Sequence, residues 1–110
     1  MSGDRRYRKS QRLDSRAIAQ VLASARPRRE RNVSVLWRSN GMQVARLGLI
    51  VPKRSLSRAV DRNRARRLLR EWFRNNQVRF SGQDLLLRVS GRRADLKSLA
   101  AELAHLFPGG

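Results

Sequence analysis

Eight acidic side chains (Asp4, Asp14, Glu30, Asp61, Glu71, Asp84, Asp95 and Glu102), one histidine (His105) and no cysteine are all that the chain offers for metal binding or proton transfer. A protein nuclease needs carboxylates that converge on a metal ion, or a paired acid and base. Here the acids fall singly on different segments. Asp61 and Glu71 share one helical stretch but would sit roughly 15 Å apart by rise, too far to share an ion. Asp14 and Asp95 each precede an apolar-periodic run and read as helix caps. His105 has no partner visible in sequence, and Ser55 and Ser57 have no base. The expectation is that the side chains supply no catalytic set, no metal site and no bound cofactor.

What the residues do offer is anion binding. Twenty-six lysines and arginines, all but three of them arginine, face eight acids, for a formal net charge of +18. So much like charge in a small globule is self-repulsive, and a polyanion is the natural partner. A guanidinium fork matches phosphate oxygens bidentately and stacks on bases, which an ammonium cannot do. Anionic membrane is disfavoured, because the basic stretches lack a large apolar face. The longest apolar candidate, Leu47 to Val51, is strand-sized, far short of the roughly 18–20 residues of a membrane helix. The basic, polar start has no secretory apolar segment, and no hydrophobic stretch follows Arg5-Arg6 to make a twin-arginine signal. The absence of cysteine fits a reducing cytoplasm. Charge by itself leaves open a ribosomal-type RNA binder and a nucleoid-type DNA binder.

These side chains need a scaffold, and the length of 110 residues suits one domain. Residues 1–12 read as a flexible basic arm and 13–107 as the domain. Asp14 or Ser15 caps a first helix with an apolar stripe at Ile18, Val21, Leu22 and Ala25, ended by Pro27. Arg26 to Arg31 read as a basic connector. Val33 to Arg38 and Val44 to Val51 read as two strands joined through Ser39-Asn40-Gly41, hence as an antiparallel hairpin. A basic loop, 53–58, leads into a long helix from Ala59 to about Asn75. Asp84 to Ser90 is a third strand, and Asp95 opens a last helix with Leu96, Leu99, Leu103, Leu106 and Phe107 inward. The order α-β-β-α-β-α makes a two-layer α+β domain.

The long helix sorts into two faces at about 100° per residue. Ala65, Leu68, Leu69, Trp72 and Phe73 form the packing face. Asn63, Arg67, Arg70 and Arg74 lie opposite, with Arg66 beside them. Like charges at these spacings cost a few tenths of a kcal/mol per pair, so an arginine stripe with only Asp61 and Glu71 interspersed reads as a track for phosphates. Lys53, Arg54 and Arg58 lie just before the helix N-terminus, whose free amides also favour anions.

The run Lys53-Arg54-Ser55-Leu56-Ser57-Arg58-Ala59-Val60-Asp61-Arg62-Asn63-Arg64-Ala65-Arg66-Arg67-Leu68-Leu69-Arg70-Glu71 resembles the signature of the bacterial ribonuclease P protein family. The pattern is a basic pair, a short loop, an alanine, then Arg-Asn-Arg-x-x-Arg-Leu-x-Arg-Glu. Arg46-Leu47-Gly48-Leu49 resembles the family's preceding strand, and the likeness runs from about Leu13 to Phe107. The resemblance implies a ribosomal-protein-like fold with a left-handed β-α-β crossover. It implies a protein subunit of an endonuclease that removes the 5′ leader of precursor tRNA, with catalysis by an RNA subunit and its Mg2+ ions. The RNA subunit and precursor tRNA are then the partners, with no membrane and no DNA. RNA-binding residues carried over are Lys53, Arg54, Arg58, Arg62, Asn63, Arg64, Arg66, Arg67, Arg70 and Arg74. The leader cleft, between the first helix and the sheet, would involve Ile18, Leu22, Val33, Val35 and Trp37, with Trp37 serving either the cleft or the core. Three positions depart from the family pattern: Ile18 and Leu22 stand where phenylalanines are common, and Ser57 where glycine is common.

Overall fold

The computed structural model describes residues 11–25 and 27–107. Helix α1 spans Ser15–Ser24, strand β1 Arg28–Arg29, β2 Val33–Ser39, β3 Arg46–Ile50, helix α2 Ala59–Asn76, β4 Gln83–Val89 and α3 Leu99–Leu106, with 3-10 turns at Gln77–Phe80 and Leu96–Ser98. Both expected acidic caps are present. Asp14 accepts from the Ala17 amide at 2.8 Å, and Asp95 accepts from the Lys97 amide and the Ser98 hydroxyl.

The four strands form one sheet in the order β1-β2-β4-β3. This overturns the expected β2–β3 hairpin. β4 lies between them, antiparallel to β2 and parallel to β3, so β3-α2-β4 is a crossover unit. The reason is burial. Leu85, Leu86 and Leu87 are fully buried on both faces of the sheet, and a strand covered on both sides belongs in the middle. The Ser39-Asn40-Gly41 segment does not close a tight turn. Asn40 instead ties the crossing loop to β4, its amide donating to the Gly82 carbonyl and its side chain to Asp84 and Val44. The basic connector is also partly strand: Arg28 and Arg29 pair with Val35 and Ser34 as β1. Arg26 and residues 1–10 of the expected arm lie outside the described residues. The last two arm residues are docked, not free. Gln11 is buried and donates to the Ala45 carbonyl and Gln77, and Arg12 bridges to Leu47 beside the β3 edge.

The sheet has a core on each face. On one, Val33, Val35, Leu85, Leu87 and Val89 pack with Ala65, Leu69 and Phe73 of α2 and Leu99 and Leu103 of α3. On the other, Leu36 and Leu86 pack with Leu13, Ala17 and Val21 of the α1 region. Gly48 lets α1 approach: a Cβ there would stand 3.1 Å from both Ile18 and Leu86 and 3.2 Å from Leu13. At the far end, Trp37, Trp72, Phe80 and Phe107 interlock with ring centroids 5.1–5.9 Å apart.

One ion pair joins β3 to β4. Arg46 donates to both carboxylate oxygens of Asp84 at 2.8 Å. Burial alone would push the Asp84 carboxyl up, but the hydrogen bonds from Arg46 and Asn40 and the charges of Arg46 and Arg38 outweigh it and hold the group below the ordinary carboxylate value. A lowered folded-state pKa contributes stability that is complete above about pH 4 and is lost as pH falls through the folded value. Asp84→Asn therefore costs about 1–2 kcal/mol at neutral pH by removing a charged hydrogen-bond acceptor. The gap in Tm between the variant and the wild type closes as the pH is lowered into the acid range. A gap independent of pH would show that the charge of Asp84 contributes nothing.

Candidate nucleic-acid interface

α2 presents the basic face that its periodicity predicts. Ala65, Leu69 and Phe73 are fully buried beneath it, and Leu68 and Trp72 pack at the margins. Asn63, Arg64 and Arg67 are exposed, and Arg66, Arg70 and Arg74 half-buried. Not all of these cations are equally available. Arg74 pairs with Glu71. Arg66 donates weakly to Asn63 at 3.4 Å. Arg62 turns back and donates to the carbonyls of Leu56 and Ser57 at 3.0 and 2.8 Å, bracing the basic loop. Arg58, the N-cap residue, offers no side-chain cap, and its guanidinium stands 3.8 Å from Asp61. Among the described residues Arg64, Arg67 and Arg70 form no ion pair, so the stripe retains unneutralised charge.

The structure adds cations that sequence reasoning missed. The loop 53–58 does not stand alone. Ser55 is 1% exposed; its hydroxyl donates to the Gly91 carbonyl at 2.6 Å and its own carbonyl accepts from the Ala94 amide at 2.8 Å. These bonds hold the β4–α3 loop against it. Lys53, Arg54, Ser57, Arg92 and Arg93 consequently line one groove of about 570 Å³. A second cleft of about 330 Å³ opens on the α1 side of the sheet, lined by Arg29, Glu30, Ser34, Arg54, Arg88, Ser90 and Gly91. Nε of Arg88 is buried with no hydrogen-bond partner. The signal available in sequence was the alternation of β4, which puts Arg88 on the face opposite Leu87 and Val89.

The expected leader-cleft residues divide. Ile18 packs over Gly48 in the seam between α1 and the sheet, and Leu22, one turn on, is 43% exposed. Val33, Val35 and Trp37 are on the wrong face for a cleft with α1. Val33 and Val35 are fully buried under α2 and α3. Trp37 belongs to the core end, edge-on to Phe107 with the Arg28 guanidinium 5.3 Å from its ring. The correction follows from period-2 alternation: Leu36 is the β2 residue packed with α1, so its odd-numbered neighbours point away. Among the described residues, no three His, Asp or Glu side chains group to hold a metal ion.

The Ribonuclease P family model matches residues 7–108. This chain belongs to the ribonuclease P protein family. A ribonuclease P protein component from Chromobacterium violaceum is 38% identical over 91% of this chain and 91% of its own length. One from Nitrosococcus oceani is 39% identical over 68% of this chain, although the match spans only 63% of that relative. Among solved structures, the ribonuclease P protein from Thermotoga maritima superposes with a TM-score of 0.71 at 27% identity, covering 86% of this chain and 93% of that one. The ribonuclease P family match includes the whole basic loop, α2 and the β4–α3 loop.

Proposed function

We propose that this protein is the protein subunit of a ribonuclease P ribonucleoprotein, which removes the 5′ leader of precursor tRNA by endonucleolytic cleavage. It docks on the RNA subunit through α2 and the basic loop and holds the leader on the α1 side of the sheet. The RNA subunit and its Mg2+ ions supply the chemistry, in a reducing cytoplasm that suits a cysteine-free chain. The observation that carries this reading is the basic face of α2, where Arg64, Arg67 and Arg70 form no ion pair among the described residues and stand over a packed apolar face. Phosphates would replace the missing counter-charges.

For the leader, the corrected lining is Ile18, Leu22, Ser34 and Arg88, with Arg29 and Arg54 at the rim. Ile50, the register neighbour of Arg88, joins the same apolar cluster as Ile18. An unpaired base can lie on that aliphatic strip while its phosphate meets the Arg88 guanidinium where it lines the cleft. Such contacts carry no base code, which favours broad substrate tolerance.

The test is Arg88→Met, which keeps the packed stem and deletes a buried, unsatisfied donor, so the fold should hold. Affinity of the reconstituted holoenzyme for precursor tRNA should fall about tenfold, the value of one charged hydrogen bond. Affinity for mature tRNA, which has no leader, should stay unchanged. Equal losses for both tRNAs would place the leader elsewhere.

A further inference from the structure

The leader cleft does not end at the sheet. Arg54 and Gly91 line both the 330 Å³ cleft and the 570 Å³ groove, so the two are contiguous. We infer that the Gly91-Arg92-Arg93 loop, clamped to the basic loop by Ser55, continues the leader path as a second phosphate-holding segment, engaging leader nucleotides beyond those in the sheet-face cleft. This rests on the function proposed above and deepens it.

Three features support the assignment. No acid lines the groove, and the nearest one in sequence, Asp95, is occupied as a cap by the Lys97 amide and the Ser98 hydroxyl. Arg92 and Arg93 also border an adjoining cleft lined by Asp95 and Glu102, but within the groove itself Lys53, Arg54, Arg92 and Arg93 face no carboxylate. The Ser55 bonds also fix the distance between the two basic loops, which a merely solvated pair of arginines would not require. Finally, Arg93 has φ 53°, in the left-handed region that glycine favours. A residue other than glycine is strained there, and an arginine at such a position points to a role for its side chain. A groove lined by cations and devoid of exposed large apolar side chains suits the backbone of a single strand more than a stacked base.

The experiment compares wild type with Arg92→Ala/Arg93→Gly in the reconstituted holoenzyme. Glycine relieves the backbone at position 93, so the variant should fold at least as well as wild type, checked by thermal melting. Substrates are mature tRNA, a precursor whose leader is too short to leave the sheet-face cleft, and one whose leader crosses the groove. Loss of two single-strand phosphate contacts, each contributing a salt slope of about −0.7, should reduce the slope for the long-leader precursor by about 1.4 and its affinity by about tenfold near 0.15 M salt. Binding of the RNA subunit, mature tRNA and the short-leader precursor should not move. Unchanged affinity for the long leader would overturn the inference. So would equal losses for all three tRNAs or for the RNA subunit, which would assign the loop to the RNA subunit or the tRNA body. Arg88→Met, run in parallel, separates the two levels. If it discriminates precursor from mature tRNA while the loop variant does not, only the extension fails. If neither discriminates, the leader reading itself fails.

Discussion

Raising the salt concentration fourfold should lower the affinity of this protein for the proposed RNA subunit by about 300- to 2,000-fold, if about six cations contact phosphates at slopes of −0.7 to −0.9 each. The candidates are Lys53, Arg54, Arg58, Arg64, Arg67 and Arg70, all on or just before α2. The energetic source is release of the counterions condensed on the RNA, so the effect appears as a straight line of log affinity against log salt. A titration of the RNA subunit at several salt concentrations gives the slope directly. A flat line would mean that these cations do not meet phosphates, whatever the net charge.

The second large effect separates the two faces of α2. Leu69 is fully buried among the sheet and helix side chains, and Leu69→Ala should destabilise the fold by about 2–5 kcal/mol through lost burial and a residual cavity. Arg67→Ala/Arg70→Ala should change stability by no more than about 0.5 kcal/mol per site. Removing two like charges from one face also relieves some repulsion. The same double variant should weaken RNA-subunit binding by roughly tenfold or more, two duplex-type contacts being lost. Denaturant unfolding and RNA titration of both variants suffice. A double variant that melts early but binds normally would make the stripe a structural device.

The elements carrying these effects were legible because their signals are local. The 3.6-residue period of α2 separates Leu69 from Arg67 and Arg70 without any knowledge of neighbours, and Asp14 and Asp95 announce their helices by position. Strand pairing is not local. Ser39-Asn40-Gly41 has turn chemistry, but whether its flanking strands touch depends on a third strand far along the chain. The clue was present in Leu85-Leu86-Leu87, an uninterrupted apolar run where an edge strand would alternate. The same limit explains the cleft. Alternation correctly grouped Val33, Val35 and Trp37, but which face of the sheet α1 covers is a property of the assembled layers. Arg92 and Arg93 became part of a groove only through the Ser55 bonds, which no spacing rule announces.

The placement of β4 also bears on how the chain is made. Its partners on both sides, β2 and β3, precede it, and in the sheet they do not pair with each other. While a ribosome extends the chain, the sheet therefore stays open until the last strand emerges, and α2 waits with its apolar face uncovered. Such long-range closure makes for slow folding compared with a hairpin-nucleated sheet. The nascent chain passes through that interval bearing a large excess of positive charge, which discourages self-association as the strand is awaited. Truncation before Gln83 should consequently leave at most the two-residue β1–β2 ladder and isolated helices, since every other β2 and β3 ladder in the described structure is completed by β4.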